Sequence, residues 1–155
     1  RTSSIMIILI VVILLIFAFI WLIRDEATDP KVETTSVVGC YAVRNSNDVY
    51  TLNIKSQTDT DVSGTLAFKN FEKDSSSGTF NGTYKDGILL GEYSFQSEGT
   101  NSIMEVIFKK SGDNFIRGYG DVTAEGTKFT DIDNIIYDES SLLAVFKKET
   151  CSQSS

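Results

Sequence analysis

Arg117 and Tyr119 alternate with Phe115 along one run of this chain, and Ser97-Glu98 follows another that carries Tyr93 and Phe95. These are the residues whose types and spacing could do chemistry. An arginine meeting a glutamate at the mouth of a sheet can hold a ligand's polar group through charge-assisted hydrogen bonds. The same pair can instead lock the fold as an internal ion pair. Ser97 and Glu98 do not read as nucleophile and base, because neighbours on a strand point to opposite faces. The sequence contains no histidine, which removes the commonest general base and the commonest metal ligand. No Gly-x-Ser-x-Gly elbow, P-loop or dinucleotide fingerprint occurs. The expectation is a protein that is not an enzyme and carries no cofactor, with Ser97, Glu98, Arg117 and Tyr119 as candidates for ligand contact.

Two further patterns are set aside. Asp131-x-Asp133-Asn134 begins like a Ca²⁺ loop, but an EF-hand needs Gly at its sixth position and Glu at its twelfth. Ile136 and Leu142 stand there, so no metal site is expected. Val37-Val38-Gly39-Cys40 has the look of a lipid-attachment signal, yet it lies too far beyond the apolar run to serve as one. The two cysteines, Cys40 and Cys151, are too far apart for a CxxC redox or zinc element. A disulfide tying the first strand to the last is expected, which requires an oxidising compartment. Two unpaired thiols are the alternative.

The element that places the rest is Ile5–Ile23, nineteen apolar residues with no charge, Gly or Pro. As a helix the run spans roughly 28 Å, close to the hydrocarbon thickness of a bilayer. Ile5, Leu9, Ile13, Phe17 and Trp21 mark this membrane or assembly helix. No A-x-A cleavage pattern follows it, so the helix is expected to be retained. It also lacks Gly-xxx-Gly, the close-packing signature of transmembrane dimers. Arg1 precedes the run and acids dominate the flank after it, which favours an N-terminus inside and a domain outside. The chain beyond the run carries all 21 acids and all but one of the 14 bases. Such a surface repels phosphate backbones, so nucleic acid is excluded as a partner.

After a polar linker containing the only proline, Pro30, the pattern changes to period two. Runs at Val38–Val43, Val49–Lys55, Val62–Phe68, Ser77–Tyr84, Ile88–Phe95, Ser102–Lys109, Phe115–Val122 and Leu142–Lys148 read as strands. Turn chemistry such as Thr58-Asp59-Thr60-Asp61, Lys85-Asp86-Gly87 and Ser111-Gly112-Asp113 separates them. Glycines inside the runs, among them Gly64, Gly82 and Gly91, permit the bends that a small barrel needs. Thr130–Tyr137 is expected to form a helical turn before the last strand. The fold class is therefore all-β, an antiparallel meander of about eight strands closed as a barrel, or a sandwich, after one long N-terminal hydrophobic α-helix.

From Gly39 to Cys151 the chain resembles a family of small uncharacterised bacterial envelope proteins, many of them lipoproteins. The residues that carry this are Gly39-Cys40-Tyr41, Val62-Ser63-Gly64-Thr65-Leu66, Gly91-Glu92-Tyr93-Ser94-Phe95, Ser97-Glu98-Gly99-Thr100, Gly118-Tyr119-Gly120-Asp121 and the closing Phe146-Lys147-Lys148 to Cys151. The resemblance implies fold and compartment, and it implies no catalytic chemistry. The chain departs from it at the N-terminus, where a helix stands in place of a lipidated cysteine.

Together these readings divide the chain into a hydrophobic helix (1–24), a linker (25–36), a β-barrel domain (37–152) and a short tail (153–155). The function expected is that of a non-enzymatic, single-pass protein of a bacterial membrane. The N-terminus would be cytoplasmic, residues 5–23 would sit in the lipid bilayer, and the barrel would be displayed on the extracytoplasmic side as a structural or binding module. One alternative is a pilin-like extracellular filament subunit that self-assembles with its helices in the fibre core. Against it, the familiar pilin start has Glu at the fifth position, where this chain has Ile5. Another alternative is an accessory subunit of a larger membrane or envelope complex.

Overall fold

The computed structural model describes residues 2–24, 35–72, 74–97 and 99–151. The chain divides into two units, and each is described by itself. The first contains a helix, α1 (Thr2–Arg24). No Gly or Pro interrupts its residues, and long apolar side chains lose little rotamer freedom in a helix. Its described side chains are exposed on every side, Ile10, Val11, Ile13 and Leu14 covering successive directions around the axis. Ile5 and Phe17 are exposed as well, while the side chains of Leu9 and Trp21 lie outside the described set, as does the linker 25–34. Among the described residues no helix is long and apolar enough to cross a membrane.

The second unit is built from β1 (Gly39–Arg44), β2 (Val49–Thr58), β3 (Asp61–Lys69), β4 (Ser76–Lys85), β5 (Ile88–Ser97), β6 (Thr100–Ser111), β7 (Asn114–Tyr119), β8 (Ile136–Tyr137) and β9 (Val145–Glu149). Each of β1 to β7 pairs antiparallel with the next, and β9 lies between β7 and β1. These eight strands form a closed up-and-down barrel, and the sandwich alternative falls away. β8 adds a two-residue pairing to the end of β7, where Gly118 meets Tyr137 and Tyr119 meets Ile136. β7 ends at Tyr119, short of the expected Val122, which instead bridges to Phe129 further along the chain. The expected helical turn is a single 3-10 turn, Ile132–Asn134, capped by Asp131 accepting from the Asp133 N–H.

Alternation delivers one side chain in two to the interior. Tyr41, Leu52, Leu66, Phe80, Leu89, Tyr93, Phe108, Phe115 and Phe146 pack there with almost no exposure. Phe108 sits edge-on to Phe146 at 5.3 Å and to Phe115 at 6.3 Å between ring centres, and Tyr41 meets Phe115 at 4.9 Å. The Val37 side chain joins this cluster, its N–H donating to Gln57 Oε1 and its carbonyl accepting from the Tyr41 hydroxyl at 2.9 Å. Gly82 and Gly91 face each other across β4 and β5, and a Cβ on either would lie 2.6 Å from the other's Cα. Bare backbone at both positions lets the strands coil tightly enough to close the ring.

Ile107 and Ile116 point outward yet are 2% and 1% exposed. The long β7–β9 connection packs on this outward face at Gly118. Its Tyr137 and the Ile107 side chain both crowd Gly118, each within 2.8 Å of where a Cβ would stand. A second, smaller apolar layer thus lies outside the barrel wall.

β9 is short, and several bonds hold it. Cys40 and Cys151 are joined by a disulfide, 111 residues apart in sequence and 5.2 Å between Cα atoms. Arg44 donates two hydrogen bonds to the Glu149 carboxylate, and the Lys148 N–H donates to Asn114 Oδ1.

Closing a loop this long restricts the unfolded chain by about 4–5 kcal/mol. Reduction, or Cys40→Ser with Cys151→Ser, is therefore expected to lower the unfolding free energy by about 3–5 kcal/mol in denaturant titration, with the barrel still formed in water. Gly91→Ala is expected to cost about 1–3 kcal/mol by overpacking, read as a lower midpoint in the same titration. An unchanged midpoint would contradict the close approach of β4 and β5.

Candidate functional site

Four strands carry aromatic and charged side chains to one end of the barrel. Tyr50 comes from β2, Phe68 from β3, Tyr93 from β5 and Arg117 from β7, two residues beyond the buried Phe115 and so on the same face. The Arg117 guanidinium carbon lies 4.4 Å from the centre of the Phe68 ring and 5.1 Å from that of Tyr119. The cation is held between two aromatic faces, a favourable electrostatic arrangement. Phe68 is edge-on to Tyr50 at 5.1 Å and to Tyr93 at 5.7 Å, and Tyr93 stacks on Phe95 at 4.7 Å. The Tyr50 hydroxyl donates to Asn70 Oδ1 at 2.7 Å, and the hydroxyls of Tyr93 and Ser76 lie 3.0 Å apart.

Burial at this end pushes the Arg117 pKa down, opposed by the phenols of Tyr119, Tyr50 and Tyr93 around it. Burial likewise pushes Tyr50 and Tyr93 up. Arginine starts so far above neutrality that the guanidinium keeps its charge.

Of the residues singled out in the sequence, Arg117 and Tyr119 are brought together. Ser97 ends β5 opposite Thr100, and its side chain lies outside the described set. Glu98 lies outside the described residues altogether, so the expected Arg117–Glu98 pair falls outside them too. Among the described residues the recorded ion pair is Arg44–Glu149 at 2.8 Å. No group of three or more His, Cys, Asp or Glu there is placed to hold a metal.

Two features escaped the sequence. One is a slot of about 120 Å³ lined by Met104, Glu105, Arg117, Tyr119, Val122 and Phe129. Glu105 is committed within it, its carboxylate accepting from the Phe129 N–H at 2.9 Å and its own N–H donating to the Thr127 carbonyl. The other is a cleft of about 400 Å³ over the β1–β9 seam, floored by Ala42 and Val145 and rimmed by Arg44, Lys147, Glu149 and Leu142. The cleft forms where a loop folds onto an outward strand face, the slot where a loop closes against the β6–β7 gap, and no local spacing announces either.

The interior itself is occupied. Tyr50, Leu66, Phe80, Tyr93 and Phe108 all belong to one packed cluster along the barrel, which counts against a ligand held within that part of the core. What the arrangement offers is a rim, with aromatic faces, one desolvated cation and backbone groups.

The tyrosines set the behaviour in alkali. Tyr41, Tyr50, Tyr93 and Tyr137 are all raised above 10.0, burial being the largest cause in each. The folded state therefore favours the protonated phenol. That stability is complete below pH 10 and is lost as pH rises through the raised values. Lys110, lowered chiefly by burial, acts with opposite sign, its contribution growing as pH rises. With no histidine, stability is expected to stay flat from about pH 6 to 8. Above pH 10, phenolate absorbance and loss of the β spectrum should then rise together. Normal titration of Tyr41, Tyr50, Tyr93 and Tyr137 in an intact fold would contradict this burial.

Comparison with family models, with curated proteins and with solved structures returned no match for this chain.

Proposed function

We propose that this chain is a non-enzymatic, membrane-anchored protein of the bacterial envelope. Its barrel is displayed on the extracytoplasmic side as a structural or binding module. The observation that carries this reading is the nineteen-residue apolar run Ile5–Ile23, set in a helix whose described side chains are apolar and exposed in every direction. A helix that is apolar all round is stable only when buried, in lipid or in an assembly. An amphipathic helix that rests on a domain surface has one polar face, and this run has none. The disulfide supports an oxidising compartment, in keeping with the likeness to envelope proteins read from the sequence motifs. The filled interior supports display rather than transport of a ligand inside the barrel.

The second reading, a filament subunit with its helices packed in a fibre core, rests on the same all-round apolar surface. A larger membrane complex would bury that surface against other subunits.

The test is fractionation of cells that express the intact chain. Membrane anchoring predicts that the chain stays in the membrane pellet after shear and alkaline wash, and is released by detergent as discrete particles. Added protease should cut the displayed domain in intact spheroplasts. Replacing Ile13 and Leu14 by Arg should abolish the pelleting. Fibres released by shear and visible by electron microscopy would overturn anchoring in favour of the filament. A wild-type chain found in the soluble fraction would overturn both.

A further inference from the structure

The barrel is not equally closed around its circumference. β6 pairs with β5 over the whole length of β5, from Thr100 opposite Ser97 to Lys109 opposite Ile88. On its other edge β7 covers only Phe108 to Ser111. The pairing stops at Phe108–Arg117, and the next residue, Gly118, pairs with Tyr137 of β8. Beyond that point β6 and β7 splay apart, and the slot beside Arg117 lies in the opening.

Which backbone groups of β6 face the opening follows from two bonds. The Lys110 N–H donates to Gly87 across the β5 side, and the Glu105 N–H donates to Thr127 on the open side. Even-numbered residues thus bond to β5, and odd-numbered ones face away. Thr127 occupies the edge at Glu105. The N–H and C=O groups of Asn101 and Ile103 are left facing the open edge, with no backbone partner there among the described residues. Natural edges are usually blunted by a charge, a proline or a bulge. Thr100-Asn101-Ser102-Ile103-Met104 carries none of these in its residues or its pairing with β5, and Ile103 is 53% exposed.

We propose that this edge is a strand-addition site for an extended peptide segment, and that the segment places a carboxylate in the slot beside Arg117. Backbone hydrogen bonds to Asn101 and Ile103 supply the pairing, and the slot selects one side chain. A residue added opposite Met104 shares Met104's face of the sheet and so points toward the slot. The slot's walls are apolar at Val122 and Phe129, and its cation is Arg117. Glu105 is already engaged by the Phe129 N–H. A side chain with an aliphatic stem and a terminal carboxylate, glutamate above all, matches both walls and charge. The residue on the other face of the added strand meets Ile103 and is apolar.

The test uses the full chain in detergent micelles and two blocked peptides, Thr-Val-Glu-Val-Thr and the same sequence with Gln for Glu. Amide NMR is expected to show Asn101 and Ile103 shifted and protected from exchange by the Glu peptide, which should bind at least 10-fold more tightly than the Gln peptide. Arg117→Gln should erase that preference while leaving weak binding of both. Arg117→Lys, which keeps the charge, controls for a misfolded rim and should retain the preference. No perturbation at Asn101 and Ile103 by either peptide at millimolar concentration would overturn the edge. Equal binding of both peptides would overturn the role of Arg117. The proposal stands or falls whether the chain is an anchor or a filament subunit.

Discussion

Everything in the folded domain depends on the closing of one seam. Seven strands in simple succession make an open, twisted sheet with two bare edges, and β9 is the strip that joins them. It is a short strand, with two pairings to β7 and three to β1. Ladder hydrogen bonds alone make a weak clasp of that length. The missing strength comes from Phe146 driven into the aromatic cluster, from the Cys40–Cys151 bridge at one end, and from the two-pronged Arg44–Glu149 contact across the seam. The exposed ion pair contributes little by itself. The disulfide, through the length of chain it encloses, contributes most.

Closure also has a steric condition. Eight strands form a narrow cylinder, and the interior must hold large aromatic rings while the wall turns sharply. The chain meets both demands by separating them. Rings crowd around Phe108, whereas glycines on β3, β4 and β5 remove side chains where strands approach closest. The consequence reaches function. An interior filled this way has little room to serve as a vessel, so recognition moves to the rim and to the wall's open stretch. There the same closure is incomplete: the β6–β7 ladder ends at Arg117, and β7 continues paired with β8. Arg117 lies at that break, paired with aromatic faces instead of a described carboxylate.

The long β7–β9 connection is the other determinant of the surface. It packs beside Ile107 at Gly118 on an outward face where Ile107 and Ile116 are buried, while Tyr119, Val122 and Ile136 stay exposed. It supplies the Thr127 carbonyl and Phe129 amide that satisfy Glu105. Loops are usually read as spacers between elements. Here one forms the outer wall of the slot.

Much of this is legible in the sequence alone. Period-two runs between Asp, Asn and Gly turns located all eight barrel strands, because a half-buried strand must alternate and a tight turn must tolerate unusual backbone angles. The two cysteines bracketing the strands supported the expectation that the first and last strands meet, with unpaired thiols as the alternative, and the uninterrupted apolar run marked a separate helix. None of these signals needs a neighbour in space. The choice of barrel over sandwich, the outward burial of Ile107 and Ile116, the splay at Gly118 and the aromatic embrace of Arg117 were not legible. Each depends on residues far apart in the chain meeting across the closed ring, and alternation says only which face a side chain takes, not what will cover it. Local sequence determined the strands and the helix. Tertiary packing alone decided where the wall closes, where it stays open, and which charge is left at the opening.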